Sequence, residues 1–390
     1  MILAREKHAR QGRREGQYAG ILARMRTRPG AALQPRQVAS YFRDGALMSV
    51  TAARGFVANG VRAGIRRSGL DLALVRSLPA AVGGAVWTTN RVQAAPVTVS
   101  RRHLEVAEPQ AVVVNSGVAN AATGERGISD ANDTALEVAA ALGIRAEEVI
   151  VLSTGVIGVP LPVDKVRCGV REAAKSLGAD GSSAAAEAIL TTDRGSKQSS
   201  VVGAGFTVGG MAKGAGMIHP RLATMLAVVT TDFPLEPGEA GPLLRTAADA
   251  TFNCISVDGE CSTNDAVVLL ANGASELSRD SAADEAFAAA LHGVCADLAR
   301  QIVADGEGST VLLEITVSGA VSDDEATAVA RRIATSPLVK TAAFGLVSRE
   351  RPADSHRGRK CRAARSASHH RSGGDHGSTV HSRHGTSNNA

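Results

Sequence analysis

The stretch "KGAGMIHPRLATMLAVVTTD", residues 213–232, decides how this chain is read. It opens with a lysine among glycines, turns at His219-Pro220 and becomes a strand-like apolar run from Met225. At the boundary sits Ala223-Thr224, a small residue followed by a hydroxyl. A β-branched residue opening a strand accounts for Thr224 without any chemistry. The sharper reading is a self-cleaving nucleophile. If a turn strains the Ala223–Thr224 peptide, the threonine oxygen attacks the preceding carbonyl and forms an ester. Hydrolysis of that ester leaves Thr224 as a new N-terminus. Its α-amine, with a reference pKa of about 7.7–8.0, can then act as base for its own hydroxyl. That arrangement needs no histidine, and no histidine here sits in a triad-like motif.

Such a nucleophile requires donors for an oxyanion. In "STGVIGVPLP" (153–162) a strand is expected to end in Thr154-Gly155, so the Thr154 hydroxyl and the Gly155 N–H can point at one developing negative charge. A plain glycine turn explains the same residues, and taken alone the motif favours the turn. Glu307 in "ADGEGS" (304–309) fits a ligand carboxylate or a solvated loop. Lys213 fits a counter-charge for a substrate carboxylate or a solvent-facing side chain. The asparagines of "NSGVANAATG" (115–124) fit ligand contacts or loop closure.

Composition bounds the classes. With 390 residues, 44% of them hydrophobic, the chain can bury one large core or two to three smaller ones. Glycine is high at 41 residues and aromatics low at 3%, which implies tight turns and an aliphatic core. No apolar run approaches the roughly 18 residues of a membrane helix, so no membrane partner is expected. The five cysteines form no CxxC pair, which disfavours a disulfide framework or a metal site and fits a cytoplasmic protein. The net charge of +5 hides an uneven distribution: +7 on residues 1–47, +6 on 346–390 and −8 on 48–345. The acidic body offers no basic face, so nucleic acid is not an expected partner.

The two ends read differently from the body. Residues 1–47 lack an apolar h-region, and Glu6, Glu15 and scarce serine argue against a transit peptide. They are expected to be a disordered extension ahead of a start at Met48. Residues 346–390 hold six of the ten histidines and three large aliphatics, Leu346, Val347 and Val380. Such a segment buries too little apolar surface to offset its ordering entropy and is expected to be disordered.

Between the ends the pattern is α/β. "AVVVN" (111–115), "VIVLS" (149–153), "NDAVVLLAN" (264–272) and "TVLLEITVSG" (310–319) predict strands. "DTALEVAAALG" (133–143) predicts a helix ended by Gly143. A longer helix follows Ser281, with Phe287, Leu291, Val294, Leu298 and Ile302 on one face. Ser322 and Glu325 form a capping box before "ATAVARRIA", with Val329 and Ile333 inward. No fixed-period repeat occurs. "GAGFTVGG" (203–210) does not give GxGxxG, and GxxxxGK[ST], GxSxG and HExxH are absent.

In order along the chain, "VTAARGF", "NSGVANAATG", "STGVIGVPLP", "AILTTD", "GGMAKGAGMIHPRLATMLAVVTTD", "TFNCISVDGECSTNDAVVLLANG", "ADGEGST" and "SPLVKTAAFG" resemble one family. It is the ornithine acetyltransferase, or bifunctional glutamate N-acetyltransferase, family of arginine biosynthesis, and the resemblance runs from about Met48 to Gly345. It implies an α/β layered sandwich of sheets and helices, similar to other self-cleaving N-terminal-nucleophile-like enzymes. It implies cleavage between Ala223 and Thr224 into an α chain (48–223) and a β chain (224–345) that assemble as an α2β2 heterotetramer. Thr224 matches the nucleophile that becomes acetylated, and Thr154 with Gly155 match the oxyanion hole. Thr191, Lys213, Thr224 and Glu307 match substrate-binding positions.

The implied reaction is ping-pong: N-acetylornithine acetylates Thr224, ornithine leaves, and glutamate takes the acetyl group. No cofactor or metal is implied; some members also accept acetyl-CoA as a substrate. Val118 and Ala122 stand where the family usually has asparagine and cysteine. After "VKTAAFG" the family's "DPNWGR"-like segment and C-terminal strands are missing, and a reading-frame change near codon 346 would explain this. Two alternatives stay open: a hydrolase of the same architecture, with water as acceptor, and a non-catalytic homologue that keeps the fold and associates with intact subunits.

Overall fold

The structure is a computed structural model that describes residues 2–7, 22–29, 49–219 and 225–348, with side chains over 49–219 and 225–345. In chain order the elements begin with strands β1 (Ile2–Lys7), β2 (Leu22–Pro29), β3 (Phe56–Val61), β4 (Leu72–Ser77) and β5 (Val82–Trp87). Next come helix α1 (Ala95–Val106), β6 (Ala111–Val118), α2 (Gly124–Leu142), β7 (Val149–Val156), α3 (Val163–Lys175) and α4 (Ser182–Ala188). The antiparallel pair β8 (Lys197–Val202) and β9 (Thr207–Lys213) leads to β10 (Leu226–Thr231), α5 (Ala240–Asp249), the short β11 (Ile255–Ser256) and β12 (Ala266–Ala271). The last elements are α6 (Ser281–Ala304), β13 (Val311–Ser318), α7 (Asp323–Ala334) and α8 (Pro337–Ser348).

A strand apolar at every position needs both faces covered, and two stacked sheets between helices supply that. One sheet has the order β3-β4-β6-β7 and the other β5-β12-β10-β9-β8. Alternate residues divide the work. Val112 and Val114 of β6, and Ile150 and Leu152 of β7, share a core with Leu226 and Val228 of β10 and with Val268 and Leu270 of β12. The intervening residues face outward onto helices. Val113 and Val151 pack with Val138 of α2 and Val166 of α3. Ala227, Val229 and Leu269 pack with Leu244 of α5 and with Phe287, Leu291 and Leu298 of α6. The layers therefore run helix, sheet, sheet, helix, as the α/β sandwich reading expects.

The four sequence-derived strands are present, as β6, β7, β12 and β13. The helix expected at 133–143 begins earlier, at Gly124, because its polar first half still turns Gly127, Asp130 and Ala131 inward. It ends with Gly143 in the left-handed conformation at φ 67°. The α6 face is as read, with Asp280 as the cap: its side chain accepts from Ala283 N. At α7, Ser322 Oγ accepts from Glu325 N at 3.2 Å, but Glu325 returns to Val321 N rather than to the cap residue's own amide. Val329 and Ile333 are half-buried, while Ala326, Ala330 and Ala334 form the buried stripe.

The reading of residues 1–47 as wholly unordered is corrected at two segments. β1 pairs parallel with β13 and β2 antiparallel with its other edge. A strand with two open edges leaves a row of N–H and C=O groups unpaired, and these segments satisfy both rows of β13. The rest of 1–47, and all of the 346–390 tail after Ser348, lie outside the described residues; α8 runs three positions past Gly345. The expected cleavage bond also lies outside them. It falls between β9 and β10, which are hydrogen-bonded neighbours in one sheet.

Candidate active site

Four chain segments carrying singled-out residues converge where β7 and β9 end and β10 begins. Lys213 is the last residue of β9 and pairs in register with Leu226, the first of β10 and two positions past Thr224. Lys213 is buried, and its Nζ donates to Thr154 Oγ1 on β7 at 3.2 Å. This bond crosses from one sheet to the other. Burial pushes the Lys213 ammonium below its usual range, while Asp193, Asp265 and Glu307 favour its charged form.

Thr154 and Gly155 do not lie in a turn after the strand; β7 continues to Val156. Gly155 sits at φ 133°, where the β6–β7 ladder slips register at Gly117 and Val118. A Cβ there would overlap the Gly117 carbonyl carbon, so the close approach of the two strands requires glycine. The asparagines of the adjoining loop prove to close loops. Asn115 donates to Val118 O at 2.8 Å, and Asn120 donates to Gly127 O at 2.9 Å.

Thr191 reaches the centre through Asp193. Thr191 N donates to Asp193 Oδ2 at 3.0 Å, and Gly214 N donates to Oδ1 of the same carboxylate at 2.6 Å. Lys197 Nζ bridges Asp193 and Asp305, at 2.7 Å to each. Burial alone would raise the Asp193 carboxyl, but the Lys213 and Lys197 charges with the hydrogen bonds hold it at about 2. Asp305 is two residues from Glu307, whose N–H donates to Ala215 O at 2.7 Å. The Glu307 carboxylate lies on Gly216, where a Cβ would come within 2.6 Å of Oε1. The Asp193–Lys197–Asp305 triad thus ties the Thr191 loop, the end of β9 and the Glu307 loop into one unit.

The sequence reading assigned no role to the triad, or to Asn264 and Asp265. Asn264 Nδ2 donates to Ser153 O at 2.9 Å and to Ala119 O at 2.6 Å, fixing the backbone before Thr154. Asp265 is buried; its Oδ1 accepts from Met225 N at 2.9 Å, and Met225 O accepts from Ala266 N at 3.1 Å. Among the described residues, Asp265 Oδ2 is buried without a hydrogen-bond partner. Burial holds its carboxyl well above the usual carboxylate range, against the opposing pull of the Met225 amide, Lys213 and Ser262. Asp193 and Asp265 stand in plain view in "TTD" and "STND", but the Gly214 and Met225 amides they hold lie 21 and 40 positions away, and Lys197 reaches Asp305 across 108. Ala223 and Thr224 lie outside the described residues. No group of three or more potential metal ligands occurs among the described residues, and no helix there is long and apolar enough to cross a membrane.

Fold and cluster together define a four-layer α/β sandwich with a buried, charged centre where strands of both sheets end. The family model of the ArgJ family matches residues 57–348. The arginine biosynthesis bifunctional protein ArgJ of Symbiobacterium thermophilum is 50% identical over 306 residues, covering 76% of each chain. That of Thermobifida fusca is 49% identical over 300 residues, covering 76% of this chain and 78% of its own. A crystal structure of ornithine acetyltransferase complexed with ornithine, from Mycobacterium tuberculosis, is 45% identical and matches 45% of this chain and 96% of its own at a TM-score of 0.43. The chain belongs to the ArgJ family.

Proposed function

We propose that this chain is a glutamate N-acetyltransferase that moves an acetyl group from N2-acetyl-L-ornithine to L-glutamate through acetyl-Thr224, after dividing itself between Ala223 and Thr224. The observation that carries the reading is the Lys213–Thr154 bond beside the start of β10. With its lone pair occupied by the Lys213 ammonium, the Thr154 hydroxyl keeps its own proton free to donate. Together with the Gly155 N–H it stabilises the oxyanion formed when Thr224 Oγ1 attacks a carbonyl. In cleavage that carbonyl belongs to Ala223; in turnover it is the acetyl group of the donor. The Oγ1–carbon bond forms, the carbon–nitrogen bond breaks, and the hydroxyl proton ends on the departing nitrogen. In cleavage, water then hydrolyses the ester, leaving the Ala223 carboxylate and restoring the Thr224 hydroxyl; in turnover, the glutamate amine displaces Thr224 Oγ1 and a proton returns to it.

Lys213, Thr191 and Glu307 hold the substrate. Glu307 offers a carboxylate for an amino group, and Lys213 an ammonium for a carboxylate. The two parts remain together as an α2β2 heterotetramer in the cytoplasm; the β9–β10 ladder, which joins residues on both sides of the cleavage bond, supports their retention.

The test is terminal sequencing of the purified chain, with the second fragment expected to begin Thr-Met-Leu-Ala. Thr224→Ala is expected to remain one chain. N-acetylornithine supplied without glutamate should leave an acetyl group on Thr224, and labelled ornithine should exchange into N-acetylornithine. Cleavage at another bond, or persisting in the Ala variant, overturns the reading. Acetate released equally with and without glutamate shows the hydrolase instead.

A further inference from the structure

A fully buried ammonium needs an anion beside it, because burial disfavours its charged form. Lys213 is 3% exposed, and its hydrogen bond to Thr154 Oγ1 at 3.2 Å goes to a neutral hydroxyl. Three carboxyls favour its charge: Asp193, then Asp265 and Glu307. Burial holds Asp265 well above the usual carboxylate range, so it is a poor source of negative charge. Glu307 is the carboxylate proposed to meet an amino group of the substrate, so its charge is shared whenever substrate is bound. Asp193 is different. Burial alone would raise its carboxyl, yet the Lys213 and Lys197 charges hold it at about 2, so it stays ionised near neutral pH.

The Asp193 side chain is 0% exposed. Its Oδ1 accepts from Gly214 N at 2.6 Å, the amide directly after Lys213, and from Lys197 Nζ at 2.7 Å. Oδ2 accepts from Thr191 N at 3.0 Å. Lys197 Nζ has two further acceptors, Gly195 O at 3.1 Å and Asp305 Oδ2 at 2.7 Å, so its three donors are all placed. Two buried ammoniums thus flank one carboxylate, and Asp305 balances Lys197 from the other side. The Asp193 charge is left for Lys213. We infer that Asp193 is a positioning residue of the proposed acyl-transfer centre: it is the standing counter-charge of the Lys213 ammonium, and through Gly214 N and Thr191 N it fixes the two backbones that present Lys213 and Thr191. This rests on the roles proposed above for Lys213 and Thr154. A carboxylate that merely pegged the two amides would serve equally well beside a neutral side chain at position 213.

Asp193→Asn keeps the side-chain shape and one carbonyl oxygen, and removes the charge. The first test is a cycle of melting midpoints, followed by circular dichroism, on the full chain, Asp193→Asn, Lys213→Met and the double variant. Asp193→Asn is expected to lower the midpoint in the parent. In the Lys213→Met background the ammonium is gone, and the drop should be smaller by about 2–4 °C or more. Equal drops in the two backgrounds mean that Asp193 acts on the amides and Lys197 alone, and overturn the inference. Where Asp193→Asn by itself is insoluble, recovery of soluble protein in the double variant bears the inference out, and continued insolubility overturns it.

The second test is the alkaline limb of labelled-ornithine exchange, where Lys213 gives up its proton. The charged groups acting on Lys213 are Asp193 ahead of β8, Lys197 at its start, Asp265 ahead of β12 and Glu307 after α6. Asp193→Asn takes away the nearest standing anion, so the limb moves to lower pH by about one unit or more. Lys197→Met removes a cation and should move the limb the other way. Asp305→Asn takes an anion from Lys197 and Arg194 instead, and its limb should stay with the parent's. An unmoved limb in Asp193→Asn, or an equal shift in Asp305→Asn, overturns the inference and leaves the proposed function standing. A parent chain that exchanges no label overturns the proposed function, and the midpoint cycle then decides the inference alone.

Discussion

Lys213 Nζ and Thr154 Oγ1 lie 3.2 Å apart across the two stacked sheets, so the sheet that carries β9 and β10 also sets the hydroxyl on its neighbour. Thr154→Val keeps the side-chain shape and removes the oxygen. If Thr154 is the oxyanion donor proposed above, the rate of acetyl transfer falls by about 10²–10³, the loss on removing one such donor. Thr154→Ser should retain most of the rate. The check is kcat for the three proteins beside their melting midpoints.

Asp193 makes a pH prediction with a fixed sign. Its carboxyl titrates at about 2 in the folded chain against a reference of 3.8. A depressed folded value means the stabilisation is present above the unfolded pKa and is lost as pH falls from the reference value through about 2. The linkage amounts to roughly 2 kcal/mol. Asp193→Asn leaves Lys197 with Asp305 alone and is expected to cost about 3–5 kcal/mol near pH 7. The gap from the parent should narrow as pH falls through that window, as measured by urea denaturation at a series of pH values.

Gly216 reports on the Glu307 carboxylate. An alanine Cβ there comes within 2.6 Å of Glu307 Oε1, the end of a flexible side chain. Gly216→Ala is therefore expected to displace the carboxylate while changing stability by less than about 1 kcal/mol. KM for N-acetylornithine should rise about tenfold or more, with a smaller change in kcat. Steady-state kinetics with a parallel thermal melt will show whether the effect sits on binding.

Gly155→Ala meets backbone instead of a flexible tip. The new Cβ would overlap the Gly117 carbonyl carbon at a φ of 133°, so strain and overlap add. We expect a loss of about 3 kcal/mol or more, seen as a drop in soluble yield and melting temperature. A soluble, native-like Ala variant would show that the two strands can separate there without cost.

Much of the architecture was legible because periodicity is local. Val112, Val113 and Val114 in unbroken succession state that a strand has two covered faces, and the α6 spacing of Phe287, Leu291, Val294, Leu298 and Ile302 states which face is inward. The first half of α2 was not legible, because its polar residues disguise an inward stripe of small ones. Nor was the pairing of β1 and β2 with β13, since strand partners leave no mark in the composition of a short arginine-rich segment.

By itself the sequence determined the order of motifs, the small-residue–threonine junction at 223–224, the aliphatic strands and the glycines that let β7 pass close to β6. Only the tertiary structure decided which charges meet. Lys197 joins Asp193 to Asp305 across more than a hundred residues, and Asp265 reaches the Met225 amide from forty positions away. Hydrogen bonds and ion pairs between distant residues carry no local period or spacing. They are set by which strand ends the packed sheets bring together, and burial then compels each charge found there to take a partner.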